Sequence, residues 1–481
     1  MDSMFENDTI CAVSTPSGVG GIAVIRVSGP ESLMIADRIW RGKPLKDALS
    51  HTAHLGNIMD DENVAEPLDQ AVATVFRGPN SFTGEDVVEF SVHGSKWIQR
   101  ELVNLLIRKG CRLAEPGEFT RRAFASGKLD LAQAEAVADV IASSSRSAHR
   151  LASSQMRGVF SKNISSLRDE LIRIASLLEL ELDFSEEDVE FASRDELTDM
   201  AQGLLRKISG LVASFSTGNA LKEGVPVAIV GEPNVGKSTL LNRLLDDNRA
   251  IVSDIPGTTR DTIEDTVEID GVLYRFIDTA GIRETADMVE NLGIQRTLGA
   301  VSKARVVVWL VTPDLLPGMF KSLAGDILKH LPEDAKMIVA VNKIDKLDGV
   351  GDMDVVRQDV ESLILSSLGG DNIADNRIKV AFISAGQGIN IDELKELLKV
   401  CSGAEEASEV DMMVTNARHY EALLHAKESL KRVIDGINTG LSGDFIAQDL
   451  RETIHHLGTI TGTITTSDLL QSIFENFCVG K

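Results

Sequence analysis

The stretch Gly231-Glu232-Pro233-Asn234-Val235-Gly236-Lys237-Ser238-Thr239 constrains this chain more than any other. It fits the pattern G-x-x-x-x-G-K-[ST]. It follows an apolar run, Val225 to Val230, that reads as a buried strand. It opens onto Leu240, Leu241, Leu244 and Leu245, spaced as one face of a helix. A strand–loop–helix unit of this kind is an anion cradle: backbone N–H groups point at the phosphates, and the helix dipole favours their charge. Lys237 would reach the β- and γ-phosphates of a nucleotide, and the Ser238 hydroxyl would ligate Mg²⁺. The bare motif also fits a glycine-rich turn with a solvated lysine, so the choice rests on the motifs nearer the C-terminus.

From about Val225 to Leu398 apolar strands alternate with helical runs, which predicts a doubly wound parallel sheet. Glu264 to Ile269 and Val272 to Ile277 flank Asp270-Gly271, a two-residue hairpin turn. The second strand delivers Asp278-Thr279-Ala280-Gly281, where the aspartate of P-loop proteins holds Mg²⁺ and glycine admits the γ-phosphate. Val306 to Val311 and Met337 to Val341 read as further strands. The latter leads into Asn342-Lys343-Ile344-Asp345, whose carboxylate can pair with the N1 and N2 protons of guanine, which adenine lacks. Val380 to Ala385 supplies a last strand, and Ser384 and Ala385 a loop suited to the guanine O6. Four motifs in this order define a GTP site.

Two departures from the simplest GTPase stand out. Ile282 occupies the position where Ras-type enzymes place the glutamine that orients the attacking water, and isoleucine cannot hydrogen-bond a water. Glu284, Asp287 and Glu290 are the nearby acids. Asn234 in the phosphate loop is followed by Ser253-Asp254-Ile255-Pro256-Gly257-Thr258-Thr259, in which Thr259 is the natural switch ligand for Mg²⁺. An asparagine carbonyl together with switch-loop carbonyls fits an oxygen cage for a monovalent cation, which would supply the charge of an arginine finger. Asn234 equally fits a plain turn residue.

At 481 residues the chain predicts about three domains. The net charge of −24 argues against wholesale coating of nucleic acid and leaves room for a local basic patch. No apolar run is long enough to span a membrane. The acidic start, Met1 to Asp8, does not read as a secretory signal, and Cys11, Cys111, Cys401 and Cys478 show no paired spacing. A cytoplasmic protein is expected.

The N-terminal third predicts a compact α+β domain, with strands at Ile22 to Val27, Ala71 to Phe76 and Val87 to Val92, and helices at Glu31 to Trp40 and Lys96 to Lys109. The loop Gly78-Pro79-Asn80-Ser81-Phe82-Thr83-Gly84-Glu85-Asp86 is rich in turn chemistry and fits a structural or a functional role. Lys96, Arg100, Arg108, Lys109, Arg112, Arg121, Arg122 and Lys128 cluster against the acidic trend, as an anion-binding patch or as a solvated helix face. From Leu129 the pattern turns helical. Leu129, Ala132, Ala136, Val137, Val140 and Ile141 mark one face, and Ile164 to Leu182 and Leu197 to Phe215 continue, before a loop-like Ser214 to Gly224. After the nucleotide region, Ala422 to Ile437 and Phe445 to Leu457 show apolar faces, and Ser467-Asp468 caps a final segment. Helices on both sides of an α/β unit predict one bundle with a domain inserted.

The chain resembles the tRNA-modification GTPase family MnmE, also called TrmE, over essentially its full length. The resemblance rests on Gly78 to Asp86, on Pro116-Gly117-Glu118-Phe119-Thr120 through Lys128 to Ala136, on the GTPase motifs, and on the terminal Phe477-Cys478-Val479-Gly480-Lys481. It implies a multidomain α+β and α/β fold. The expected segments are an N-terminal folate-binding and dimerisation domain at 1–125, a helical domain at 126–222 and 403–481, and an inserted Ras-like P-loop G domain at 223–402. The implied activity is GTP hydrolysis that, in a heterotetramer of a homodimer with the FAD protein MnmG, adds a carboxymethylaminomethyl or aminomethyl group to C5 of the wobble uridine of certain tRNAs. The implied cofactors are Mg²⁺, K⁺ and a tetrahydrofolate derivative, 5-formyl or 5,10-methylene. By motif, Asn234, Ser253, Ile255 and Thr258 would hold K⁺, and Ser238 and Thr259 Mg²⁺. Glu290 would orient the hydrolytic water. Arg26, Glu89, Lys128 and Lys481 would surround the folate. Cys478 fits a nucleophile or an apolar packing residue. His93-Gly94-Ser95 stands where the family usually has His-Gly-Gly, and a backbone needing glycine at Ser95 would be strained. The rival reading is a GTP-gated RNA-binding or ribosome-assembly switch without modification chemistry, since a G domain alone fits both.

Overall fold

A computed structural model of the chain describes residues 8–60, 66–183, 193–247, 265–277, 297–313, 317–347, 358, 361–363, 377–404, 412–475 and 477–480. Two units emerge. One comprises Met1–Ile141, Gln155–Leu204 and His425–Lys481, the other Ala142–Ser154 and Leu205–Leu424. The architecture is multidomain, with an α+β part, a helical part drawn from both sides of the nucleotide region, and an α/β part.

The first unit begins with β1 (Ile10–Val13), β2 (Ile22–Ser28), α1 (Ser32–Arg38), β3 (Trp40–Arg41), β4 (Thr52–Ile58), β5 (Asp69–Phe76), β6 (Val87–His93), α2 (Lys96–Arg108), β7 (Arg112–Leu113) and α3 (Glu118–Ala125). Its seven strands form one sheet in the order β3-β4-β5-β6-β2-β1-β7. The period-2 alternation of β2 sends Ala23, Ile25 and Val27 into a core with Leu33, Ile35 and Ala36 of α1 and Leu102, Leu105 and Leu106 of α2. Each large side chain of this kind contributes about 1.5–3 kcal/mol of burial. Arg26 therefore points to the opposite face, where it opposes Glu89 of β6 in register. Strand β4, Thr-Ala-His-Leu-Gly-Asn-Ile, pairs with β5 although it carries little β propensity; cross-strand pairing decides there. Ser95 is unstrained. Its backbone is extended, with φ −75°, and its hydroxyl caps α2 by accepting from Trp97 N at 3.3 Å. Gly94 is the constrained neighbour, because a Cβ there would collide with the Gly20 carbonyl.

The arginines of the basic cluster are paired with carboxylates. Arg112 and Arg122 both bond Glu118, at 2.6 and 3.0 Å, and both bond Asp8. Arg122 also reaches Glu85 in the 78–86 loop at 3.0 Å. Burial alone would raise the Glu118 carboxyl, but the hydrogen bonds from Arg112 and from the Glu115 amide hold it below its ordinary value. Arg108 pairs with Asp60 and Arg121 with Glu115. These arginines form a salt-bridge network rather than a patch open to anions.

Helix α4 (Leu131–Ala142) buries Leu131 and Ala134 against Leu470 and Phe474. The expected face is shifted: Ile141 is 47 % exposed, because the inward stripe runs through Leu131, Ala132, Ala134, Glu135 and Ala136. Helices α5 (Arg146–Met156), α6 (Val159–Asp183) and α7 (Arg194–Glu223) follow. Here α7 corrects the sequence reading, since Ser214 to Glu223 is helical rather than loop-like. Packing overrides the weak local propensity of Ser, Thr and Gly. Ser214 Oγ accepts from Val414 N at 3.1 Å, Phe215 stacks on Tyr420 at 4.3 Å, and Gly218 lets the Val414 backbone lie against the helix.

The second unit holds β8 (Val225–Val230), α8 (Lys237–Asp247), β9 (Asp265–Ile269), β10 (Val272–Phe276), β11 (Val306–Val311), α9 (Pro317–His330), β12 (Lys336–Val341), β13 (Ile378–Phe382) and α10 (Ile391–Ser402). Its sheet has the order β13-β12-β11-β8-β10-β9, parallel except for the β9–β10 hairpin. The hairpin turns on Asp270 and Gly271 with φ 51° and 86°, as a type I′ turn requires. Strands β8 and β11 are apolar almost throughout because both faces are covered. Val227 and Ile229 meet one core, Ala228 and Val230 the other.

The chain closes with α11 (Ala417–Thr439), α12 (Gly443–Thr461) and α13 (Ser467–Phe474). Leu450, Leu457 and Ile446 of α12 are buried, but Phe445, expected on that face, is 61 % exposed in the first turn. The cap of α13 is Thr466, whose hydroxyl accepts from Leu469 N, not Ser467, which is already helical.

Candidate nucleotide site

The phosphate loop leaves the C-terminal end of β8, the position where parallel sheets bind ligands. Gly231, Asn234 and Gly236 take φ of 148°, 60° and 106°. These conformations curl the backbone so that the loop ends on α8, with Lys237 as its first helical residue and Ser238 and Thr239 in its first turn. Lys237 Nζ donates to the carbonyls of Gly231 and Glu232 at 2.7 and 2.9 Å, spanning the loop. Burial pushes its pKa down, opposed by the Glu232 carboxylate.

The residues expected to read the base are joined to this loop. Asn342 follows β12 and is 2 % exposed; its Nδ2 donates to the Val235 carbonyl at 2.7 Å, and its Oδ1 accepts from Ala385 N at 2.9 Å. Lys343, at φ 65°, donates from Nζ to the Asn234 carbonyl at 2.6 Å. Ser384 Oγ donates to Asp345 Oδ1 at 2.5 Å, which orients the carboxylate for a pair of donors on a base. Thus Asn234, Val235, Gly236, Lys237, Asn342, Lys343, Asp345, Ser384 and Ala385 lie in one connected cluster. Ser253, Asp254, Ile255, Pro256, Gly257, Thr258, Thr259, Asp278, Thr279, Ala280, Gly281 and Glu290 lie outside the described residues. Arg243, unnoticed in the sequence, enters the same cluster from α8 by donating to the carbonyls of Ala385 and Gly386 at 3.4 and 2.9 Å. A cation two turns along the helix after the lysine is the signal that could have found it.

The residues assigned to folate fall in the first unit. Arg26 bonds Glu89 at 2.8 Å and lies 5.4 Å from the ring centres of both Phe82 and Phe119. Lys128 is exposed beside Gly84, in the same loop as Phe82. That loop is held by Thr83, which bonds Ser28 and, through its carbonyl, Ser126, each at 2.7 Å. The chain's end docks nearby. Gly117 N donates to the Cys478 carbonyl at 3.3 Å, Val479 bridges Pro116, and Ser14 Oγ donates to the Gly480 carbonyl at 3.0 Å. Cys478 is exposed, and Lys481 lies outside the described residues.

A phosphate loop joined through Asn342 to the Asn342-Lys343-Ile344-Asp345 motif is the arrangement of a guanine-nucleotide-binding P-loop protein. A sequence profile described as the MnmE helical domain matches residues 131–478, and one described as the N-terminus of the GTP-binding protein TrmE matches 9–128. The tRNA modification GTPase MnmE of Christiangramia forsetii is 50 % identical over 484 residues, covering 99 % of both chains. That of Parabacteroides distasonis is 50 % identical over 480 residues, covering 98 % of this chain and all of its own (100 %). A solved GTP-binding protein from Sulfolobus solfataricus, in complex with GDP, is 17 % identical with a TM-score of 0.28. It covers 50 % of this chain and 67 % of its own, and is too distant to add to the argument. The chain belongs to the MnmE family of tRNA modification GTPases.

Proposed function

We propose that this chain hydrolyses GTP in the modification of tRNA. With the FAD protein MnmG it would add a carboxymethylaminomethyl or aminomethyl group to C5 of the wobble uridine, drawing one carbon from a tetrahydrofolate derivative. The observation that carries the nucleotide half is the cluster of Asn342, Asp345 and Ser384 bonded to the phosphate loop. The proposed domains run over 1–125, 126–222 with 403–481, and 223–402, the last being the G domain inserted in the helical one.

The donor set fits the metal ions. Ser238 offers a hydroxyl in the first turn of α8, and Asn234 projects from an exposed loop position. Bound Mg²⁺ and K⁺ would neutralise charge building on the transferring phosphoryl group. The chain's own residues bind and orient: Lys237 and the loop amides grip the phosphates, Asp345 selects guanine, and Glu290 positions the water that Ile282 cannot. Ser253, Ile255, Thr258 and Thr259 complete the two cation sites.

Arg26 with its Glu89 partner, beside the exposed Phe82 ring, offers a cation, a carboxylate and an aromatic surface. That set suits the pterin of a folate, whose amino group can donate to a carboxylate, and Lys128 and Lys481 suit the carboxylates of its glutamate tail. The docked Cys478 is the candidate nucleophile. The reading includes a homodimer whose G domains pair in K⁺. Hydrolysis rates in K⁺ and in Na⁺ test it: K⁺ should be strongly favoured and Asn234→Ala should remove the difference. Equal rates in both salts for the unaltered chain would defeat the cation-cage part.

A further inference from the structure

We propose that Arg243 is a positioning residue for guanine recognition, holding the base-reading loop onto the phosphate-binding helix. The inference rests on the GTPase reading and adds a residue that reading does not assign.

The loop after β13 is closed by two backbone hydrogen bonds between Ser384 and Ile389, each 3.1 Å, and by Asn390 Nδ2 donating to the Phe382 carbonyl at 2.8 Å. Between these anchors the carbonyls of residues 385 and 386 are bonded from outside the loop. Arg243 is the donor. Its Nη2 donates to the Gly386 carbonyl at 2.9 Å and its Nε to the Ala385 carbonyl at 3.4 Å. The guanidinium also lies against Gly388, where φ is 74° and a Cβ would sit 3.6 Å from Arg243 Cζ. A trans peptide points its N–H opposite its C=O. Gripping the carbonyl of residue 385 toward α8 therefore aims the N–H of Gly386 away from α8. The neighbouring donors are already engaged in this structure: Ala385 N bonds Asn342, and Gln387 N bonds Ser384 Oγ at 3.3 Å.

The guanidinium suits this task because it is planar, permanently charged and carries several donors in fixed directions. Its backbone belongs to α8, the helix that begins with Lys237. The phosphate subsite and the O6-reading loop are thus tied twice, through Asn342 on one side and Arg243 on the other. Arg243 would touch no atom of the nucleotide and acts through loop 384–388.

The test compares Arg243→Ala and Arg243→Lys with the unaltered full-length chain, using dissociation of mant-GDP and steady-state hydrolysis. Arg243→Ala should release mant-GDP about tenfold faster, the size of one charge-assisted hydrogen bond. KM for GTP should rise by a similar factor, with kcat at saturation changed less than about twofold. Arg243→Lys should recover part of the loss. ITP keeps the O6 of guanine and lacks the amino group that Asp345 reads, so the GTP-to-ITP affinity ratio should be unchanged in Arg243→Ala. Unchanged mant-GDP release in Arg243→Ala would overturn the assignment while leaving the GTPase reading intact. A fall in kcat equal to the rise in KM, or no rescue by lysine, would also overturn it, by pointing to general damage. Failure of the unaltered chain to bind mant-GDP would overturn both.

Discussion

Asn342 Nδ2 donates to the Val235 carbonyl at 2.7 Å, so the residue that opens the Asn342-Lys343-Ile344-Asp345 motif also braces the phosphate loop. The brace leaves no room at Gly236, whose φ of 106° already disfavours any side chain and whose Cβ would strike that same Nδ2. Gly236→Ala is expected to break the link and strain the loop together. GTP affinity measured by titration calorimetry should fall by at least about 100-fold, since strain and a lost buried hydrogen bond each cost about 1–3 kcal/mol. The thermal midpoint of the first unit should stay where it is.

Asp345 is oriented by Ser384 at 2.5 Å, and in the proposed function its carboxylate offers two acceptors to two donors on guanine. Asp345→Asn replaces one acceptor with a donor. It should weaken GTP by about 1000-fold and improve binding of XTP, whose C2 carbonyl accepts from the new amide group where the guanine amino group donates to the carboxylate. Competition between the two nucleotides for a fluorescent GDP analogue reads the exchange. Ser384→Ala should weaken GTP about tenfold or less, because it loosens the carboxylate without removing it.

The candidate nucleotide site was legible because its motifs are local in sequence, and the fold brings Gly231 to Thr239, Asn342 to Asp345 and Ser384-Ala385 together. The features that escaped depend on partners far along the chain. Ser214 to Glu223 looks like a loop until Val414 and Tyr420 pack against it. Arg112 and Arg122 look like part of an anion patch until Asp8 is folded onto both and Glu85 onto Arg122. Arg243 reads as an ordinary surface cation on α8, and only the return of residues 384–388 gives it acceptors. In each case the sequence holds one side of a long-range contact.

Glu118 is 2 % exposed and bonded by Arg112 and Arg122, with its pKa held below the ordinary 4.5. A carboxyl depressed in the folded state stabilises above its unfolded pKa and loses that contribution as pH falls through the folded value. Glu118→Gln, which deprives the two guanidinium groups of the buried one of their two shared carboxylates, should cost about 3 kcal/mol at neutral pH. Denaturant unfolding followed by circular dichroism should show the gap to the unaltered chain closing below pH 4.5, from the side of the unaltered chain. A gap that persists undiminished to lower pH would assign the loss to packing.

GTP turnover in this chain is expected to serve a chemical change on tRNA, and tRNA nucleosides report that directly. Deleting the gene and digesting bulk tRNA for mass spectrometry should show loss of the carboxymethylaminomethyl or aminomethyl group at C5 of wobble uridine. The intact gene should restore it, and a copy carrying Gly236→Ala should not. Unchanged wobble uridines in the deletion strain would contradict that role and leave a GTP-gated RNA-binding switch in its place.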